Sequence, residues 1–196
     1  MKILAFGDTH GSDKAMKSIE KKAKQADLLV CIGDVTVFEQ NFRGIMKRLD
    51  KIGKKILMIH GNHEDDFSML EQTQQTKNIY FLHRHIFEQD DYTFIGFGGG
   101  GFSLTDSTMK KFFMSKKKEL KDKKIVMLTH APAYKTKIDD VHGASCGCKT
   151  VRWIIERFKP KFAFAGHLHE NFGKKDKIKG CEVINPGPFG MMIHLK

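Results

Sequence analysis

Lys55-Ile56-Leu57-Met58-Ile59-His60-Gly61-Asn62-His63-Glu64 is a short apolar run that stops at a glycine and continues as an amide, an imidazole and a carboxylate. An unbroken apolar run of this length reads as a strand buried on both faces. The side chains after it are those that hold divalent metal ions in N- and O-rich sites. The arrangement recurs four times. Residues 2–6 lead into Gly7-Asp8-Thr9-His10, 28–32 into Gly33-Asp34, 124–128 into Thr129-His130, and 161–165 into Gly166-His167-Leu168-His169. Five predicted strands therefore end on ligand chemistry.

Working outward, the segments between these strands are helical. Ser12 is placed to cap a helix with Ala15, Met16, Ile19 and Ala23 on one face. A second helix carries Phe42, Ile45, Met46, Leu49 and Ile52, and Gly53 suits its end. The first 60 residues thus read β-α-β-α-β, the signature of parallel strands with right-handed crossovers. From Ile79 the texture becomes a meander, with short strands over 79–82, 85–88 and 92–97. The glycine run Gly98 to Gly101 lacks the spacing of a dinucleotide-binding turn and reads as a loop free to approach a ligand. A Lys-rich helix follows Asp106-Ser107. The long loop 131–148, with Pro132, His142 and Gly143, reads as functional by its length. Val151, Ile154, Ile155 and Phe158 mark a last helix before the strand at 161–165. Short strands close the chain, around 177–184 and 191–195. Residues 1–196 read as one domain, without internal repeat, linker or low-complexity segment.

Composition narrows the function classes. No apolar run approaches the ~20 residues of a membrane span, and the N-terminal residues have no signal-peptide layout, so the expectation is a cytoplasmic protein. Cys31, Cys146, Cys148 and Cys181 make no zinc-ribbon pattern and read as free thiols in a reducing compartment. The formal charge of +11 favours anionic substrates. Its lysines are spread over helices and turns without interleaved aromatics, so a nucleic-acid partner is allowed but not favoured.

Strands running parallel in a sheet deliver their carboxyl ends to one edge, where ligands bind. Asp8, His10, Asp34, Asn62, His63, His130, His167 and His169 are thereby expected to converge. Their mix of imidazole, carboxylate and amide suits Mn, Fe, Zn, Co or Ni. They are too many for one tetrahedral ion, and two ions sharing a carboxylate would use them. His60, His83, His85 and His194 read as structural.

Asp8-x-His10, Gly33-Asp34, Gly61-Asn62-His63-Glu64, His130 and Gly166-His167-x-His169, in this order, resemble the motif blocks of the calcineurin-like metallophosphoesterase family. The resemblance implies an α/β fold of four layers, α-β-β-α, with two mixed sheets face to face and helices outside. It implies that Asp8, His10 and His169 hold one divalent ion, that Asn62, His130 and His167 hold a second, and that Asp34 bridges them, Mn being the favoured metal. It implies catalytic roles for His63, which contacts the phosphate and helps the leaving oxygen depart, and for Asp8, which with Glu64 is a candidate to orient that imidazole. Asn62, His63 and His142 are the expected substrate contacts. Asn185-Pro186-Gly187 also resembles a segment near the family's site, although Pro188 departs from the usual small residue.

The expected activity is hydrolysis of a small phosphoester, a nucleotide among the candidates, by in-line attack of a hydroxide bridging the two ions. A phosphodiesterase is favoured. A phosphomonoesterase or protein phosphatase would call for an arginine over the terminal phosphate, and Arg43, Arg48, Arg84, Arg152 and Arg157 all fall on helices or in the meander. A nuclease and a non-catalytic scaffold are the remaining alternatives; the scaffold is disfavoured because no ligand position is missing.

Overall fold

The computed structural model describes residues 1–195. Strand β1 (Lys2–Phe6), helix α1 (Asp13–Ala23), β2 (Leu28–Cys31), α2 (Phe42–Asp50) and β3 (Ile56–Met58) form the expected alternation. Helix α1 starts where the Ser12 hydroxyl accepts from the Ala15 amide at 3.3 Å, and it buries Ala15, Met16, Ile19 and Ala23. The next element is not announced by the sequence pattern. Helix α3 (Asp66–Gln74) is capped by Asp65, which accepts from the Phe67 and Ser68 amides, yet only Met69 and Thr73 are buried in it. Two buried positions leave no apolar stripe to read. Because α3 is a crossover, β4 (Ile79–Phe81) lies parallel to β3 rather than opening a meander.

The second half comprises β5 (Ile86–Gln89), β6 (Tyr92–Phe97), α4 (Ser107–Ser115), β7 (Lys124–Thr129), β8 (Asp140–Val141), β9 (Ala144–Ser145), α5 (Lys149–Phe158), β10 (Phe162–Phe164), β11 (Lys175–Ile178), β12 (Cys181–Ile184) and β13 (Met191–His194). The long loop after His130 is thus partly ordered as a small β8–β9 hairpin. One sheet runs β13-β1-β2-β3-β4 and the other β11-β12-β10-β7-β6-β5. Both are mixed: parallel in the centre, with β13, β11 and β5 antiparallel to their neighbours.

The two sheets pack face to face. Ile3, Val30, Ile32 and Leu57 meet Phe94, Val126, Leu128 and Phe164 in a shared core. Because side chains alternate along a strand, Leu4, Phe6, Leu29 and Cys31 point the other way, onto Met16, Ile19, Met46 and Leu49 of α1 and α2. On the far side Ile95, Ile125 and Met127 meet Met109, Phe113, Val151 and Ile154 of α4 and α5. The result is the four-layer α-β-β-α sandwich. Strands covered on both faces explain the unbroken apolar runs of the sequence. The five strands that lead into the candidate ligands do not share one sheet. β1, β2 and β3 lie in the first, β7 and β10 in the second. Among the described residues no helix is long and apolar enough to cross a membrane.

Candidate metal centre

The ends of these strands meet across the seam between the sheets. The Asp8 amide donates to the Gly33 carbonyl at 2.9 Å, the His10 amide to the Asp34 carbonyl at 3.0 Å, and the Gly166 amide to the His130 carbonyl at 2.9 Å. Side chains then tie one sheet to the other. His130 Nδ1 lies 2.8 Å from the Ile32 carbonyl, and the His167 amide donates to Asp8 Oδ1 at 3.0 Å. A side chain at Gly61 would collide with Asp34 Oδ1, so the β3 block reaches the seam only with glycine there.

Each carboxylate divides its oxygens in the same way. Asp34 Oδ1 accepts from the His63 amide at 2.9 Å. Its Oδ2 faces inward, 3.3 Å from His130 Nε2, 3.9 Å from His10 Nε2 and 4.0 Å from His63 Nε2. Asp8 Oδ2 is a buried carboxylate oxygen with no hydrogen-bond partner. Orphaned polar atoms of this kind are uncommon, since burying one costs free energy, and they ask for an explanation such as an ion. Imidazole orientation points the same way. Nδ1 of His10 and His130 each contacts a backbone carbonyl, of Thr36 and Ile32, which turns Nε2, the nitrogen free to meet an ion, inward. Asn62 Oδ1 lies 3.0 Å from His130 Nε2 and 2.8 Å from His167 Nδ1, while His10 and His169 bring their Nε2 atoms to 3.1 Å. Three groups could hold an ion: Asp8, His10 and His169; Asp34, His130 and His167; and His10, Asp34 and His63. The donor set fits a divalent transition metal.

Backbone strain concentrates here. Asp8, His10, Asp34 and His167 all have positive φ, at 51°, 44°, 51° and 69°. A left-handed non-glycine residue costs of order 1–3 kcal/mol and persists only where its surroundings over-determine it. The bonds just described do so. Without an ion, Asp34 and His130 favour each other's charged form. Burial works against both charges, but their mutual hydrogen bond and attraction hold the Asp34 carboxyl down at about 2 and lift His130 to about 9. Burial instead pushes the Asp8 carboxyl up, and it lowers His167 to about 4, which keeps that ring a neutral donor.

The model of the calcineurin-like phosphoesterase family matches residues 1–171. The chain belongs to that family. Comparison with curated protein sequences gives no match. As a calcineurin-like phosphoesterase the chain shares its fold with TT1561 of Thermus thermophilus, at TM-score 0.79 and 17% identity over 96% of this chain and 89% of that one. A phosphopantetheinyl hydrolase from Mycobacterium tuberculosis superposes at TM-score 0.65, 12% identity, over 95% and 88% of the two chains. A dimetal phosphatase from Danio rerio gives TM-score 0.63 and 12% identity over 94% and 86%. Membership of this calcineurin-like family implies a phosphoester hydrolase.

Several residues of this calcineurin-like site were not given their part by the sequence. Neither Glu64 nor Asp8 orients His63. The ring's Nδ1 instead faces the Phe38 backbone amide at 3.4 Å. Glu64 is a buried brace. It accepts from the Asp34 amide at 2.9 Å, the Thr36 amide and hydroxyl at 2.8 Å each, and the Gly61 amide at 3.1 Å, locking the β2 and β3 blocks together. We expect Glu64→Gln, which turns an NH2 group against some of these donors, to cost roughly 3 kcal/mol and lower Tm by about 6–12 °C. Thermal unfolding of the metal-free protein checks it, and an unchanged midpoint would remove Glu64 from this role. His142 stands exposed at the turn of the β8–β9 hairpin, whereas Val141 and Cys146 beside it line the cleft. His60 and His83 pack ring to ring at 4.6 Å, and burial lowers them to about 4 and about 3, so they are neutral core groups. Asn185-Pro186-Gly187 is a brace, with Asn185 Nδ2 on the Leu168 carbonyl at 3.2 Å and the Gly187 carbonyl accepting from Gly7 at 3.3 Å.

Proposed function

We propose that this chain is a phosphodiesterase of small substrates, acting as one cytoplasmic domain with two divalent ions, Mn being the first to test. Asp8, His10 and His169 would hold one ion, Asn62, His130 and His167 the other, and Asp34 would serve both. Such ions, when bound, make a nucleophile of water near neutral pH and offset the charge that grows on the phosphoryl oxygens. The protein supplies the remainder. With Nδ1 facing the Phe38 amide, a neutral His63 carries its proton on Nε2, the nitrogen on the Asp34 side. That N–H can donate a hydrogen bond to the departing ester oxygen, and the ring passes a proton to it when it enters the reaction as the imidazolium. His142, at the tip of the hairpin, would meet the substrate beyond the phosphate.

One observation favours a diester over a monoester. The ≈ 340 Å³ cleft beside these ligands has no lysine or arginine among its lining residues, and Glu170 stands in it. A terminal phosphate, whose second pKa is about 6, would bring a further negative charge against that carboxylate. A diester would not. The decisive comparison uses Mn-reconstituted protein with a generic diester, the matching monoester and a 2′,3′-cyclic nucleotide at two salt concentrations. Diester preference with a weak salt response is expected. Monoester preference would overturn the reading in favour of a phosphatase, and a steep salt dependence would favour a nuclease. Glu170→Lys is expected to raise the monoester-to-diester ratio of kcat/KM roughly tenfold, about 1.4 kcal/mol. An unmoved ratio would detach the preference from this charge.

A further inference from the structure

Two phenylalanines stand in solvent at this site. Phe38 is 73% exposed and Phe102 79%. A single exposed apolar side chain needs no explanation, but each of these rings is rooted on an imidazole of the site. The Phe38 ring centroid lies 4.4 Å from that of His63, tilted by 39°. The Phe102 centroid lies 4.5 Å from that of His167, edge-on at 69°. His63, His167 and Phe102 line the same cleft. Part of each ring is therefore engaged with a candidate ligand or acid, and the rest is open.

The chain takes unusual conformations to put them there. Phe38 has φ +47°, a left-handed backbone that a bulky side chain seldom adopts, and Glu39 follows at +62°. Hydrogen bonds fix this loop. The Glu39 amide donates to Thr36 Oγ1 at 3.1 Å, and the Asp65 amide to Glu39 Oε1 at 2.9 Å. Phe102 is delivered by Gly99, Gly100 and Gly101, at φ +75°, +87° and +141°. A Cβ on Gly101 would come within 3.3 Å of His167 Cε1, so glycine lets the chain pass the imidazole closely.

With no lysine or arginine lining the cleft, its apolar walls, Phe102 among them, are a surface for the organic part of a substrate, and Phe38 adjoins the cleft through His63. Flat rings held at fixed positions suit a flat partner, because aromatic pairs gain from offset or edge-on contact beyond the area they bury. We infer that Phe38 and Phe102 are specificity-determining residues that stack an aromatic ring carried by the phosphoester, a nucleobase or an aryl group. The inference rests on the phosphoesterase reading of the same site. One stacked base is worth roughly five- to a hundredfold in affinity.

The test measures binding of adenosine 5′-monophosphate, phenyl phosphate and ribose 5-phosphate to the Mn-loaded full chain, each expressed relative to inorganic phosphate. Diester turnover is followed in parallel. The adenosine nucleotide is expected to bind at least tenfold tighter than ribose 5-phosphate. Phe38→Leu and Phe102→Leu, which keep apolar bulk but lose the flat ring, are expected to bring that ratio within about twofold, and Phe38→Tyr and Phe102→Tyr to restore it. A gain for phenyl phosphate as large as for the nucleotide identifies a simple aryl group as sufficient, and a gain for the nucleotide alone identifies the base. Equal affinities in the native chain, or a ratio that survives both leucine changes, overturn the inference. Diester turnover without aromatic preference sinks this inference alone. Aromatic preference without turnover sinks the phosphoesterase reading alone.

Discussion

Replacing His63 with alanine lowers kcat for a phosphodiester by ~10²- to 10⁴-fold, the usual contribution of a positioned acid, while metal per chain stays at the native level. The expectation follows from the ring's two faces. Nδ1 is turned to the Phe38 amide at 3.4 Å, which leaves the Nε2 proton on the side of Asp34 Oδ2, 4.0 Å away. The effect should depend on the leaving group. An alkoxide needs a proton as it departs, so the loss is largest for alkyl diesters and shrinks for nitrophenyl diesters, whose phenolate leaves unaided. Metal analysis supplies the counter-test, because His63 with His10 and Asp34 is also a group that could hold an ion. A variant that loses metal together with activity would make His63 a ligand. One that keeps full activity on alkyl diesters would remove it from the mechanism.

Asp34→Asn is the second large effect. Its Oδ2 is the atom that His10, His63 and His130 all face. Groups that only support a metal ligand contribute about 10- to 100-fold in affinity or activity. Loss of a carboxylate that two of the candidate groups share should exceed that, so we expect Mn affinity and diester turnover each to fall by more than ~10²-fold. The metal-free protein reports separately. His130 is raised from its ordinary 6.5 to about 9, so its share of stability is fully present below pH 6.5 and is lost as pH rises through about 9. Asp34 is lowered from 3.8 to about 2, so its share is present above pH 3.8 and lost as pH falls through about 2. Tm of the metal-free native chain should therefore decline between pH 6.5 and 9 by more than that of Asp34→Asn. Superimposable pH profiles would show that the pair does not carry this charge.

Much of the fold and the placement of the candidate site was legible in the sequence because each candidate ligand follows a strand buried on both faces, and such strands are unbroken apolar runs. The runs at 2–6, 28–32 and 124–128 end within a residue of the observed strands. Helix α3 was hidden because it buries only Met69 and Thr73, and with it went the parallel placement of β4. The division of the five strands between two sheets is likewise invisible to periodicity, which says that a strand is covered but not by what. The family resemblance implied two sheets but not which strands each one holds. Phe38 was unreadable for a different reason. Its importance lies in a left-handed backbone and a contact with His63, which lies 25 residues away in the chain. The glycine run before Phe102 did carry a signal, since a Cβ on Gly101 would come within 3.3 Å of His167 Cε1 and glycine lets the chain pass that imidazole.

The first sheet is closed by the pairing of β1 with β13, Lys2 opposite His194 and Ala5 opposite Met191. While the polypeptide is being made, one edge of β1 therefore stays unpaired until residues 191–194 have emerged, and an unpaired edge invites wrong partners. Asp8 and His10 sit at the end of that same strand, and His169 also arrives late in synthesis. A nascent chain held short of β13 would therefore present an aggregation-prone edge on the very strand that leads into Asp8 and His10.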